Sequence, residues 1–132
     1  MALPVNHPID EQTLSCSTNS IASTPLAAAV RVPFRGVINR FGAVSHGAFT
    51  TNCSIAVAII TPVADGAAPG SGTAVSGSPM TLAATNSAAG TSTSMVPSAV
   101  TVVNEGDLIV FTPSGSTGTT IGATFSVSVQ AI

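Results

Sequence analysis

Residues 123–131 read Ala-Thr-Phe-Ser-Val-Ser-Val-Gln-Ala. Phe125, Val127, Val129 and Ala131 alternate with Thr124, Ser126, Ser128 and Gln130, so a strand here puts its apolar side chains on one face and its polar ones on the other. Such a strand covers a core on one side only. No stretch of the chain sustains an apolar repeat of 3.6 residues over a helical length, so that face must be buried against another sheet.

Further strands follow from the same reasoning. Residues 53–61 form the strongest central strand, with Ile55, Val57 and Ile59 on one face, Ala56 and Ala58 on the other, and Pro62 as the stop. Residues 99–103 and 108–112 flank the tight turn Asn104-Glu105-Gly106-Asp107. After Ala29, the residues Val30, Val32, Phe34 and Ile38 alternate with Arg31, Pro33, Arg35 and Asn39, with Gly36 as the expected bulge and Pro33 marking a sheet edge or strand start. Residues 43–49 read as a strand or a loop, and 80–84 as a short strand. Residues 65–79 read as a long turn-rich loop with a short strand at 73–75, and 86–94 and 113–118 as further loops. Seven or eight short strands of this kind predict an all-β chain folded as an antiparallel two-sheet β-sandwich, jelly-roll-like in topology.

At 132 residues the chain fits one domain. Residues 29–132 are expected to form the sandwich and residues 1–28 an extended N-terminal arm. The arm contains Pro4, Pro8 and Pro25, and its apolar residues Leu3, Val5, Ile9, Leu14 and Ile21 are widely spaced. Asp10-Glu11-Gln12, after Pro8, suits one helical turn. Isolated anchors of this kind either pack across their own domain or lie in a neighbour's groove. On this reading residues 1–25 can be removed without unfolding the sandwich.

Charge is scarce: three Arg, no Lys and five acidic residues, 6% of the chain against about a quarter in ordinary soluble domains. A monomer of 12.9 kDa exposes roughly 6,300 Å², or about one charge per 800 Å². Depletion of charge marks surface that protein covers, so a permanent oligomer or assembly subunit is expected. Three Arg at a formal net charge of −2 give no footprint for nucleic acid. A 45% hydrophobic content is the reverse of the disordered signature. The first residues lack the basic start and apolar run of a signal peptide, and the apolar run at 55–60 is too short to span a bilayer. The chain therefore reads as soluble and made in the cytoplasm, without a membrane partner. Cys16 and Cys53 then read as free buried thiols.

Val102-Val-Asn-Glu-Gly-Asp-Leu-Ile-Val-Phe-Thr-Pro-Ser-Gly, followed by Ala123-Thr-Phe-Ser-Val-Ser-Val, resembles a pattern in trimeric jelly-roll modules, among them the tumour-necrosis-factor-like head and its viral relatives. Val32-Pro-Phe-Arg-Gly is similar to their opening strand. With the Pro-rich arm and the Ser/Thr/Ala surface, the chain resembles a decoration or cement protein of a tailed-bacteriophage capsid. The resemblance implies a homo-oligomer, a trimer in the first instance, that binds the major capsid protein on the virion exterior. The aromatic trimer core of tumour-necrosis-factor-like heads has no counterpart, since the chain holds five Phe and neither Tyr nor Trp.

Nothing in the sequence assembles a catalytic, cofactor or metal site. A hydrolase needs a base beside a nucleophile, and the candidates His7 and His46 lie in the arm and in the turn-like Ser45-His46-Gly47. Two His, two Cys and five carboxylates show no zinc spacing, and Asp65-Gly66 and Glu105-Gly106-Asp107 lack the alternating oxygens of a calcium loop. The Gly-rich stretch 66–77 has no Gly-Lys-Ser/Thr ending. The chain reads as a non-enzyme whose partner interface uses Leu3, Val5, Ile9, Leu14 and Ile21 of the arm together with Arg31, Arg35 and Arg40. These three arginines hold all the positive side-chain charge within ten positions and suit ion pairs to a partner. A fibre, spike or pilin-like surface subunit is the rival reading.

Overall fold

Period-2 alternation does build the molecule. In the computed structural model, which describes residues 11–63, 70, 72–75, 77–99, 102–118 and 120–132, every element is a strand: β1 (Glu11–Thr18), β2 (Ala28–Arg31), β3 (Gly36–Ser45), β4 (Cys53–Ile60), β5 (Thr73–Ala74), β6 (Met80–Leu82), β7 (Ser92–Met95), β8 (Val102–Val103), β9 (Leu108–Ser114) and β10 (Ala123–Ala131). They form two antiparallel sheets. The first has the order β1-β10-β3-β7 with β8 also on β3, and the second has the order β2-β9-β4-β5 with β6 also on β4. β5 with β6, and β7 with β8, each act as one interrupted strand. Counted so, the chain crosses from one sheet to the other at every connection except that from β4 to β5–β6, which stays in the second sheet, the wiring of an eight-stranded jelly roll.

The inward face of each strand supplies the core. Phe125, Val127 and Val129 of β10 meet Ile55 and Val57 of β4 and Ile109 and Phe111 of β9, all essentially inaccessible to water. Phe111 sits at the centre, stacked on Phe125 with ring centroids 5.0 Å apart and edge-on to Phe41 at 6.0 Å. Three of the chain's five Phe thus form one cluster tying both sheets together.

Three expectations change. Residues 11–28 are not an arm: Glu11–Thr18 pairs with β10 along its whole length, and the expected helical turn at Glu11-Gln12 is the start of this strand. Ile21 is fully buried, so deleting residues 1–25 would remove a strand and a core residue. Residues 1–10 lie outside the described residues. The bulge is at Asn39, not Gly36: Ser128 pairs with Arg40 and Val129 with Ile38, leaving Asn39 as the extra residue. Gly36 instead packs so closely beneath β10 that a Cβ there would stand 2.5 Å from Gln130 O. Finally, 43–49 is not separate, because β3 runs unbroken from Gly36 to Ser45, and part of the expected loop 86–94 opens β7.

Candidate interaction surface

The outward faces of the two sheets differ in chemistry, and register shows how. On the first sheet, Ser15, Ser126, Gly42 and Ser94 stand in one row across β1, β10, β3 and β7, and Ser17, Thr124, Val44 and Ser92 in the next. Thr13, Ser128 and Arg40 make a third, and Glu11, Gln130, Val37 and Val102 a fourth. Among the described residues this face is mostly small hydroxyl groups, interrupted by Val37, Val44 and Val102, with one charge of each sign. On the second sheet, Ala29, Val110, Ala58 and Ala74 form one row across β2, β9, β4 and β5, and Arg31, Leu108 and Ile60 the next. Thr112 with Ala56, and Ser114 with Ser54 and Thr81, complete it. Its centre is aliphatic. Gly72 crosses there, and a Cβ on it would stand 2.8 Å from Ile60 Cγ1 and 3.0 Å from Ala58 Cβ.

The three arginines are not brought together. Arg31 is on the outer face of the second sheet, Arg40 on that of the first, and Arg35 in the connection between β2 and β3, where its carbonyl accepts a hydrogen bond from Ile132 N at 3.2 Å. The Asn39 bulge decides the position of Arg40. Strict alternation from Ile38 would send residue 40 into the core, and the extra residue turns it to solvent, where it reaches Ser94 Oγ at 3.4 Å. Of the expected apolar anchors, Leu14 packs half-buried on the core of its own chain and Ile21 lies within it, so neither projects to a partner. Leu3, Val5 and Ile9 lie outside the described residues, as does His7.

No protein-family model, curated protein or solved structure matches the chain.

The loop ends of the sandwich hold the remaining polar groups. His46 follows β3 and shares a hydrogen bond with Thr124 Oγ1 (2.9 Å from Nε2), while its backbone N donates to Gly122 O at 2.9 Å. At the same end a depression of about 590 Å³ is lined by Thr50, Thr51, Asn52, Ala84, Thr85 and Gly115. Thr117 Oγ1 ties Thr50 and Thr51 together at 2.8 and 2.6 Å, and Asn52 Oδ1 accepts from Ala84 N. Its lining is neutral. At the opposite end, Arg31, Val32, Pro33, Glu105 and Gly106 line a depression of about 480 Å³. Beneath it the buried Asp107 accepts from Thr61 Oγ1 at 3.0 Å and Asn104 N at 2.9 Å, holding the β8–β9 turn. Gly106, with φ +91°, makes that turn possible. Among the described residues no group of three or more His, Cys, Asp or Glu converges as a metal site would require.

Cys16 of β1 and Cys53 of β4 are unpaired and lie in different sheets. Burial pushes both thiols above the ordinary range; for Cys53 a backbone hydrogen bond with Ser114 partly offsets it. Both sulfurs are therefore poor nucleophiles at neutral pH. Sequence reasoning missed the aliphatic outer face. Its signal was the run Ala56, Ala58, Ile60, apolar on the side of β4 that a half-exposed strand leaves polar.

Proposed function

We propose that this chain is a non-enzymatic structural subunit that binds the outside of a viral capsid shell and stabilises it, in the manner of a decoration or cement protein. The observation that carries the reading is the outer face of the second sheet, where Ala29, Val110, Ala58 and Ala74 present an aliphatic row with Arg31 beside it. A surface of that chemistry is suited to contact with protein. The partners on this reading are the major capsid protein and further copies of the chain, and the location is the virion exterior, reached from the host cytoplasm. The subunit acts by mass action: it binds the assembled shell and not the free shell protein, and so displaces the equilibrium toward assembly. The rival fibre or pilin-like reading leans on a Cys16–Cys53 bridge, which the unpaired sulfurs do not favour.

Co-sedimentation with purified capsid shells tests it. The full chain is expected to pellet with shells, and Val110→Asp, at the centre of the aliphatic row, to stay in the supernatant with an unchanged circular dichroism spectrum. Removal of residues 1–10 is expected to weaken binding, since Leu3, Val5 and Ile9 then no longer contribute. Full-strength pelleting of the folded Val110→Asp chain would overturn the assignment of that face.

A further inference from the structure

The edges of the two sheets are unequal. β2 has four residues between Pro25 and Pro33, β5 has two, β6 three directly after Pro79, β7 four ending before Pro97, and β8 two. Short strands bounded by proline offer little to a passing chain. β1 is different. It runs for eight residues in unbroken register with β10 and carries no Pro, Lys, Arg or bulge. Its one charge, Glu11, stands at its first residue with the carboxylate already taken by Asn39 Nδ2 at 2.6 Å. No second strand pairs with β1 among the described residues.

Which groups face that edge follows from the ladder. Ser45 N donates to Thr91 O and Ser45 O accepts from Gly90 N, so the backbone of Ser45 points away from β10 and that of Val44 toward it. Alternation then directs Thr124, Ser126 and Ser128 of β10 to β3, and Phe125 and Val127 to β1. The partners of Phe125 and Val127 are Cys16 and Leu14. Hence Thr13, Ser15 and Ser17 turn their N–H and C=O groups to the free edge.

We infer that β1 is a self-pairing edge: two copies of the chain join β1 to β1, antiparallel, about a two-fold axis at Ser15, making one continuous sheet. That register sets Ser15 against Ser15 and Thr13 against Ser17 of the second copy. Each of these edge-facing pairs exchanges both N–H···O bonds. Leu14 then lies beside Cys16 of the second copy on the core side, and each Glu11 falls beyond the paired segment, far from its equivalent. Leu26 supports the contact. It is 51% exposed and fastened beside the end of β1, with Thr18 Oγ1 donating to Leu26 O at 2.8 Å and Leu26 N donating to Ser20 O at 2.9 Å. The two-fold brings it toward Gln12 of the second copy.

The inference does not rest on capsid binding and is tested on the isolated full chain. Sedimentation equilibrium is expected to give twice the chain mass of 12.9 kDa. Ser15→Pro removes an N–H that faces the edge and leaves the β1–β10 ladder intact, so it is expected to halve the mass with an unchanged circular dichroism spectrum. Should that variant fail to fold, Ser15→Cys decides: mild oxidation is expected to link two chains through the substituted position. A full chain that is monomeric or trimeric, a folded Ser15→Pro chain of unchanged mass, or a Ser15→Cys chain that does not cross-link would overturn it. So would a monomer that dimerises only after residues 1–10 are removed, since the edge would then be covered from within the chain. A dimer that ignores capsid shells supports this inference and counts against the capsid reading alone.

Discussion

Asp107 is the sharpest test of how the sandwich is held at its β8–β9 end. The residue is only 4% exposed, and both carboxylate oxygens are engaged, Oδ1 by Thr61 Oγ1 at 3.0 Å and Oδ2 by Asn104 N at 2.9 Å. Its main chain adds two bonds, donating to Asn104 O at 3.1 Å and accepting from Val32 N at 2.8 Å. One side chain thereby fixes the turn to the end of β4, and its backbone fixes the same turn to the residue after β2. Asp107→Ala keeps the main-chain bonds and removes the other two. Hydrogen bonds to a charged group contribute about 1.5–3 kcal/mol each, and since Thr61 and Asn104 are themselves exposed the low end applies, giving a loss of about 3 kcal/mol. Asp107→Asn keeps the volume and one acceptor and is expected to lose about half of that. For a chain of this length each kcal/mol moves Tm by about 3–5 °C, so Asp107→Ala is expected to melt on the order of 10 °C lower. Urea unfolding followed by circular dichroism measures it, with Thr61→Val completing a double-mutant cycle whose coupling is expected at about 1 kcal/mol. Asp107→Ala within about 0.5 kcal/mol of the parent, or full additivity with Thr61→Val, would refute the account.

Two other outcomes are expected. Phe111→Ala empties the centre of the aromatic cluster and is expected to lower stability by about 3–5 kcal/mol, a large part of the 5–15 kcal/mol typical of a domain, read as a fall in the urea midpoint. The pH dependence follows from the raised thiols of Cys16 and Cys53. Below the ordinary thiol pKa of about 8.5 both folded and unfolded chains hold these protons; above it the unfolded chain loses them first, so stability falls as pH rises. With no Lys or Tyr in the chain, no other side chain titrates in that window. The urea midpoint is expected to decline above about pH 8.5, and the decline to vanish in the double variant Cys16→Ser, Cys53→Ala.

How much of this could be seen in the sequence depended on how cleanly each strand separates its faces. β10 and β4 were legible because a regular alternation of large and small side chains runs through each, and the β8–β9 turn because Gly106 and Asp107 supply its chemistry. β1 was not legible. Its inner face offers only Leu14 and Cys16, and its outer face Thr13, Ser15 and Ser17, a composition shared with loops. β7, Ser-Thr-Ser-Met, failed for the same reason. In β3 the bulge at Asn39 broke the period, so Ile38 and Phe41 fell out of phase and one strand looked like two. The arginines misled differently. Ten positions of sequence looked like one patch, but β2 and β3 belong to opposite sheets, and that separation comes from topology, which local pattern does not encode.

The position of β10 has a consequence for how the fold is reached. β10 lies between β1 and β3, and Gln130 pairs with Glu11, nearly the whole described chain away. β1 and β3 cannot join until it arrives. The first sheet therefore closes only when β10 pairs with β1, a contact of very large sequence separation whose loop-closure entropy is correspondingly large. The folding chain must keep the inner faces of β1 and β3 apart from other partners until the nine residues of β10 slide between them.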